Sequence, residues 1–319
     1  MTNRPTNHED KEIQQSRANS PFTEFNGHDS YCNPPDYSKL SRPDEITLRR
    51  VSKKQLEEIV GTLSERDKAV LSSLQHCRYI MTKQIQRLHY ADAVTSTAGL
   101  RAANRNLTRL KDMGLADTLT RRIGGVRSGS CSLIWYLTQA GERLLRMTKC
   151  GVHSRKRDYE PSQYFLTHTL AVAECFVQIT EICAGPSLKL VGVELETDCW
   201  RSYTQNGKLT ALKPDLFAIT NCDDYEDRWF FEIDLSTEAP ATVIEKCLRY
   251  HQYYRSGLEQ KKHKVFPLTV WIVPDAARKD SLTSYIKAEF AKMPKIFIVI
   301  TSDELEKLLR QGVEGGSLC

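Results

Sequence analysis

The sequence predicts an α+β chain in two folded parts: a basic, mostly helical part closed by a β-hairpin, then an α/β part built on a mixed sheet. Three observations lead there. The length of 319 residues suits roughly two domains of about 150 residues each. Charge is segregated: the formal net charge is +5, yet residues 63–149 hold 15 basic and 6 acidic side chains, and residues 160–319 hold 18 basic and 23 acidic. Finally, apolar residues recur at helical spacing in the first part and in short strand-like runs in the second.

Apolar residues make up 40% of the chain and charged residues 27%, as in globular proteins. No apolar run approaches the roughly 18 residues of a membrane span, and Met1–Ser20 has no hydrophobic core, so a cytoplasmic protein with no membrane partner is expected. The ten cysteines are scattered, none in a CxxC pair and none with a histidine at zinc-ligand spacing, which predicts buried reduced thiols. Residues 1–55, rich in Asn, Ser, Pro and charge, lack the apolar content to offset ordering entropy and read as a disordered tail, with order starting somewhere in Ser52–Leu63. Gly151, His153-Ser154, the run Arg155-Lys156-Arg157 and Pro161 mark a linker over 150–161. Folded regions are therefore expected at 56–149 and 162–312, with 313–319 as a tail.

In the basic part, Ser64 and an acidic first turn open a helix from Glu65 to Leu74. Thr82 opens a second, Lys83–Tyr90. A third spans about Ser96–Met113 and stops at Gly114. Leu100, Ala103, Leu107 and Leu110 form its buried stripe. At about 100° per residue, Arg101, Arg105, Thr108 and Arg109 cluster opposite, with Asn104 at the edge. Arg and Asn suit phosphates and base edges, and no acid interrupts this face before Asp112. Leu115–Arg122 and Cys131–Leu137 read as a hairpin around a Gly- and Ser-rich tip, and Thr138 caps a closing helix. Helix, helix, basic helix, hairpin, helix is the order of a winged helix-turn-helix. It predicts double-stranded DNA as partner, with the third helix in the major groove and Arg121, Arg122 and Arg127 of the hairpin on the backbone.

In the second part, a helix over Tyr164–Ile182 precedes a strand at Leu188–Glu196. Trp200–Lys208 is polar, with an Asn206-Gly207 turn signal. Strands follow at Leu212–Thr220 and Arg228–Leu235, joined by an acidic turn, Asp223 to Asp227. Helix Pro240–Ser256, strand Leu268–Val273, helix Ser281–Lys292, strand Ile296–Ile300 and helix Ser302–Gln311 complete the order α-β-β-β-α-β-α-β-α. Lys213-Pro214-Asp215 opens one strand, and Glu232-Ile233-Asp234 ends the next. Period-2 alternation puts Glu232 and Asp234 on one face. A hairpin brings Asp215 near both. Clustered carboxylates call for a cation, and hard oxygen ligands suit magnesium or manganese, so Asp215, Glu232 and Asp234 are the candidate metal ligands. Thr237-Glu238 reads first as a cap for the Pro240 helix, His168 as a hydrogen-bonded core histidine, and Tyr250, Gln252 and Tyr253 as packing residues.

The element order, with Pro214-Asp215 and Glu232-x-Asp234, resembles the PD-(D/E)XK nuclease superfamily. That resemblance implies a nuclease-like domain and metal-assisted phosphodiester hydrolysis. The superfamily carries Lys where this chain has Asp234, so Lys213 or Lys246 is the candidate replacement in a catalytic set of Asp215, Glu232, Asp234, Lys213 and Lys246.

Taken together, Trp135-Tyr136-Leu137-Thr138-x-Ala140-Gly141, His168-Thr169-Leu170-Ala171-Val172, Lys213-Pro214-Asp215 and Phe231-Glu232-Ile233-Asp234-x-x-Thr237-Glu238, with Lys246 and Tyr250 beyond, resemble the replication-relaxation family over about residues 60–310. The resemblance implies a bacterial mobile-element protein associated with plasmid replication and DNA relaxation; with the basic helix, the leading expectation is a DNA-binding accessory protein of a plasmid or integrative element, and a relaxase, a replication initiator or a second copy of the chain is the candidate protein partner. Two rival readings stand beside it: an active metal-dependent endonuclease or nickase, and a winged-helix transcriptional regulator.

Overall fold

A computed structural model describes residues 51–119, 132–148, 161–222, 225–312 and 318. The predicted tail over 1–55 lies almost wholly outside them, as do the hairpin tip and nearly all of the 150–161 linker.

The first helix of the described residues is α1 (Lys53–Val60), where Ser52 and Gln55 form a reciprocal capping box. In α2 (Glu65–Cys77) the same device pairs Ser64 with Asp67. The next helix, α3 (Thr82–His89), starts one residue earlier than expected. Thr82 lies inside it, with Met81 at the cap position, and the Thr82 hydroxyl accepts a hydrogen bond from the Trp135 indole at 2.9 Å. Thr95 caps α4 (Ser96–Asp112), and Gly114, at φ +74°, turns the chain out of it. Strands β2 (Ala116–Thr118) and β3 (Ile134–Leu137) form the stem of the expected hairpin. A short strand not foreseen from sequence, β1 (Ile80–Met81), joins them in the order β1-β3-β2. Thr138 caps α5 (Gln139–Met147), as predicted. A Cβ at Gly141 would lie 2.2 Å from the Leu115 carbonyl oxygen, so only glycine lets this helix pack so closely on the hairpin.

Helix α6 (Gln163–Ile182) precedes a five-stranded mixed sheet made of β4 (Leu188–Leu195), β7 (Leu216–Cys222), β8 (Tyr225–Ile233), β9 (Leu268–Val273) and β10 (Phe297–Thr301), in the order β10-β9-β8-β7-β4. The pairs β4/β7 and β7/β8 are antiparallel. The pairs β8/β9 and β9/β10 are parallel. Their crossovers are α7 (Pro240–Ser256) with α8 (Leu258–His263), and α9 (Ala276–Glu289), while α10 (Leu305–Gln311) follows β10. The polar stretch read as a loop is instead a separate hairpin, β5 (Arg201–Gln205) and β6 (Lys208–Leu212), turned by Asn206 and Gly207, both at positive φ. Pro214 keeps Lys213–Asp215 out of the strand predicted there, so β7 starts at Leu216. Helix α9 starts five residues before the predicted Ser281 because Asp275 caps it.

Alternation along the strands sorts two cores. Trp229, Phe231 and Ile233 of β8 and Val270 and Ile272 of β9 face α6. That apolar cluster is continuous with Leu71 and Leu74 of α2 and Leu107 of α4. Phe230, Trp271 and Phe297 face α7 and α9, packed with Val243, Tyr250 and Leu282. Six cysteines of the described residues are free, five of them buried, in keeping with the reduced-thiol expectation. No helix of the described residues is long and apolar enough to cross a membrane.

Candidate functional site

Two groups of side chains matter. The first is the outer face of α4. Ala103, Leu107 and Leu110 are buried, so helical geometry turns Arg101, Asn104, Arg105 and Thr108 outward, and all four are exposed. They make no hydrogen bond or ion pair among the described residues. Arg109 departs from the prediction: although it lies one turn beyond Arg105, its guanidinium donates to Asp67 of α2. Asp67 is buried and also accepts from the Ser64 amide and hydroxyl, both at 2.8 Å, and from Asn106. Burial opposes its charge, but Arg109, Ser64 and Asn106 together hold its carboxyl below the usual range. Arg109 therefore clamps α4 to α2. Arg121, Arg122 and Arg127 lie outside the described residues.

The second group lies where β7 begins and β8 ends. Leu216 pairs with Phe231, and the Asp215 amide donates to the Phe231 carbonyl at 3.2 Å. The Asp215 side chain is thereby turned back to the end of β8. Its Oδ2 accepts from the Ile233 amide at 2.8 Å, and its Oδ1 lies 3.1 Å from His168 Nε2 of α6. Glu232, on the α7 side of β8, is buried. Its Oε1 accepts from the Tyr250 hydroxyl at 2.6 Å, and its Oε2 is 3.6 Å from the Lys246 ammonium, which is 3.1 Å from Glu238 Oε1. Burial, then repulsion from Asp215, pushes the Glu232 carboxyl up to about 8, against the pull of Lys246 and the Tyr250 hydrogen bond. Burial works against the charge on Lys246, but Glu232, Asp215 and Glu238 outweigh it and raise its pKa. The His168 ring is held above its ordinary value as well, because the hydrogen bond and charge of Asp215 exceed the penalty of burial.

Asp234 does not join this group. It follows the parity of Glu232 but lies past the strand end, where Arg278 Nε donates to its Oδ2 at 2.6 Å and the Ser236 amide to its Oδ1 at 3.0 Å. Arg278 also donates to the Glu238 carbonyl at 2.7 Å, so Asp234 braces the 234–239 loop. Lys213 turns away from the carboxylates, its ammonium 4.4 Å from the centroid of the Trp200 ring. Of the two candidate lysines, Lys246 is the one beside Glu232. Among the described residues no group of three or more His, Cys, Asp or Glu side chains is placed to hold a metal ion.

Three members of this neighbourhood read from sequence as packing or capping residues. Tyr250 is buried, as expected of a packing residue, yet its hydroxyl serves Glu232. Glu238 pairs with Lys246 and does not cap α7, whose cap residue, Ala239, has no side-chain bond. His168 is hydrogen-bonded, as expected, and the partner is Asp215. The His168-Thr169-Leu170-Ala171-Val172 motif, one of those carrying the family resemblance, is the sequence signal that marks this position.

The helical part and the sheet are joined through α3 and α6. Arg87 donates to Glu174 and Glu181, and Gln84 Nε2 donates to the Leu170 carbonyl at 3.2 Å and to Glu174 at 2.9 Å. Arg78 at the end of α2 reaches Glu196 at 3.3 Å. This is a mixed α+β chain in which one helix, α6, carries both the inter-part clamp and His168. The sequence profile of the replication-relaxation family matches residues 71–269, more than half of the chain and all of these site residues apart from Ser64, Asp67 and Arg278, and the chain belongs to that family. No curated protein and no solved structure matches it.

Proposed function

We propose that the protein is a double-stranded-DNA-binding accessory factor of a plasmid or integrative element, acting in replication or relaxation through a winged helix-turn-helix. The β1-β3-β2 sheet behind α2, α3 and α4 supports that reading of the basic part, and the family membership supports the process. The observation that carries it is the exposed, unpaired face of Arg101, Asn104, Arg105 and Thr108. A solvated helix face gains nothing from omitting acids, whereas a face that meets phosphates and base edges does. Arg109 is removed from the DNA contacts and assigned to the α2–α4 clamp. The test is fluorescence anisotropy on a labelled duplex. Arg101→Ala with Arg105→Ala is expected to weaken binding about tenfold or more, and an unchanged affinity refutes the reading.

A second reading, metal-dependent strand cleavage by a PD-(D/E)XK-like domain, is favoured by one observation: Asp215 lies close enough to the buried Glu232 to oppose its charge. Magnesium or manganese is commonly held by one or two carboxylates, with water and substrate phosphates completing the shell, so this pair fits such an ion without Asp234. A bound ion supplies charge to the phosphate and activates water. Within the chain, the Ile233 amide and His168 orient Asp215, Tyr250 orients Glu232, and Lys246 holds positive charge beside both. Nicking of supercoiled plasmid with magnesium or manganese, lost in Asp215→Ala, supports this reading. Nicking that is absent, or that survives the substitution, rejects it and leaves the sheet domain as a scaffold for a relaxase, an initiator or a second copy.

A further inference from the structure

The duplex reading uses the polar outer face of α4 and leaves the turn before that helix unassigned. Val94 in this turn is 99% exposed, more than any other large apolar side chain among the described residues. Residues 93–98 read Ala-Val-Thr-Ser-Thr-Ala, carry no charge, and are exposed apart from the half-buried Ala93. The segment is nevertheless braced. Arg66 of α2 donates to Asp92 at 2.8 Å and lies over the Tyr90 ring at 5.1 Å. The Ala93 amide donates to the Tyr90 carbonyl at 3.3 Å. Thr95 accepts from the Ala98 amide through its hydroxyl at 3.1 Å and from the Gly99 amide through its carbonyl at 2.9 Å. A Cβ at Gly99 would stand 2.8 Å from the Tyr90 carbonyl oxygen, so glycine lets the turn close onto the helix. Val94 is therefore held in place without being covered. Thr97, in the first turn of α4, is exposed and stands four residues before Arg101, so the two share one face of the helix.

In the major groove the C5-methyl of thymine is the apolar group that a base edge offers, and threonine methyls and small apolar side chains meet it. In a helix-turn-helix, the residues at the start of the recognition helix are the ones that reach base edges. An uncharged, methyl-bearing surface at that end of α4 matches this chemistry, as phosphates would call for cations. We infer that Val94 and Thr97 pack against thymine methyl groups, so that the preferred duplex carries thymine beside the base pairs met by Arg101 and Asn104. The arginines then supply most of the affinity, and the turn supplies a base preference. The inference rests on the duplex reading of α4 and adds the base that the helix selects.

The test selects sequences bound by the full chain from a randomised duplex pool. Anisotropy is then measured on the enriched duplex made with thymine and made with uracil, which lacks only the methyl. The parent is expected to enrich thymine and to bind the uracil duplex about fourfold more weakly for each methyl contacted. Val94→Ser is expected to weaken binding of the thymine duplex by a similar factor and to lose most of the discrimination. It is also expected to keep the parent's slope of log affinity against log salt, because no phosphate contact is removed. Thr97→Ser, which keeps the hydroxyl and removes the methyl, is expected to narrow the discrimination as well. The inference is overturned if the parent binds the thymine and uracil duplexes alike, or if both serine variants discriminate as the parent does. A parent that binds no duplex overturns this inference together with the α4 reading. A salt slope lowered in Arg101→Ala with Arg105→Ala, beside equal thymine and uracil affinities in the parent, overturns this inference alone.

Discussion

Asp67 and Glu232 are both buried carboxylates, and they meet opposite fates. Asp67 accepts from an arginine, an asparagine, a hydroxyl and a backbone amide, and its pKa is driven down. Glu232 has one phenolic donor and a lysine at longer range, shares its surroundings with Asp215, and is driven up to about 8. The first is a finished structural joint between α2 and α4. The second is a site whose charge is left partly uncompensated at a cost to the fold, which is the condition expected where a ligand completes the arrangement.

The contrast is tested first, and with the largest effect, by the pH dependence of stability. Glu232 holds its proton in the folded state up to about pH 8 and loses it near its ordinary 4.5 when unfolded. The folded state therefore binds the extra proton, and stability must fall as pH rises across that window, with a slope approaching about 1.4 kcal/mol per pH unit. Glu232→Gln is expected to flatten this fall in urea titrations at several pH values. A slope unchanged in the variant would mean that Glu232 is not the strained group.

Next in size is Asp67→Ala, expected to lower the unfolding free energy by about 3 kcal/mol, because it removes the α2 capping box and leaves Arg109 without its partner. Arg109→Ala is expected to cost less, about 1–2 kcal/mol, since its side chain is 41% exposed and water replaces part of the interaction. Both are read by chemical denaturation. Arg109→Ala is also expected to leave the salt dependence of duplex binding as in the parent. A reduced slope would return Arg109 to the DNA-binding face.

How much of this was legible in the sequence follows from which interactions are local. Helix caps at Ser64 and Thr138 and the buried stripe of α4 from Ala103 to Leu110 depend on spacing over a few residues and were readable, whereas Leu100, expected in the same stripe, is only half-buried. The exposed face of α4 followed from the same periodicity. Arg109 did not, because its role is set by Asp67, 42 residues away, and helical angle alone cannot distinguish a free arginine from a clamped one. The parity of Glu232 and Asp234 was readable too, but parity says nothing about the strand ending at Ile233 or about Arg278 arriving from α9. The hairpin of β5 and β6 was hidden by its polar composition: with one face exposed and Leu209 turned outward, it lacks a clean alternation of apolar residues. Strand β1 is two residues long and gives no periodic signal.

The central claim is that Arg101 and Arg105 meet DNA phosphates while Arg109 does not. The measurement that addresses it most directly is the slope of log affinity against log salt for a duplex, in the parent and in Arg101→Ala with Arg105→Ala. Two lost phosphate contacts are expected to reduce that slope by about 1.8. A double variant that keeps the parent slope and affinity would contradict the claim.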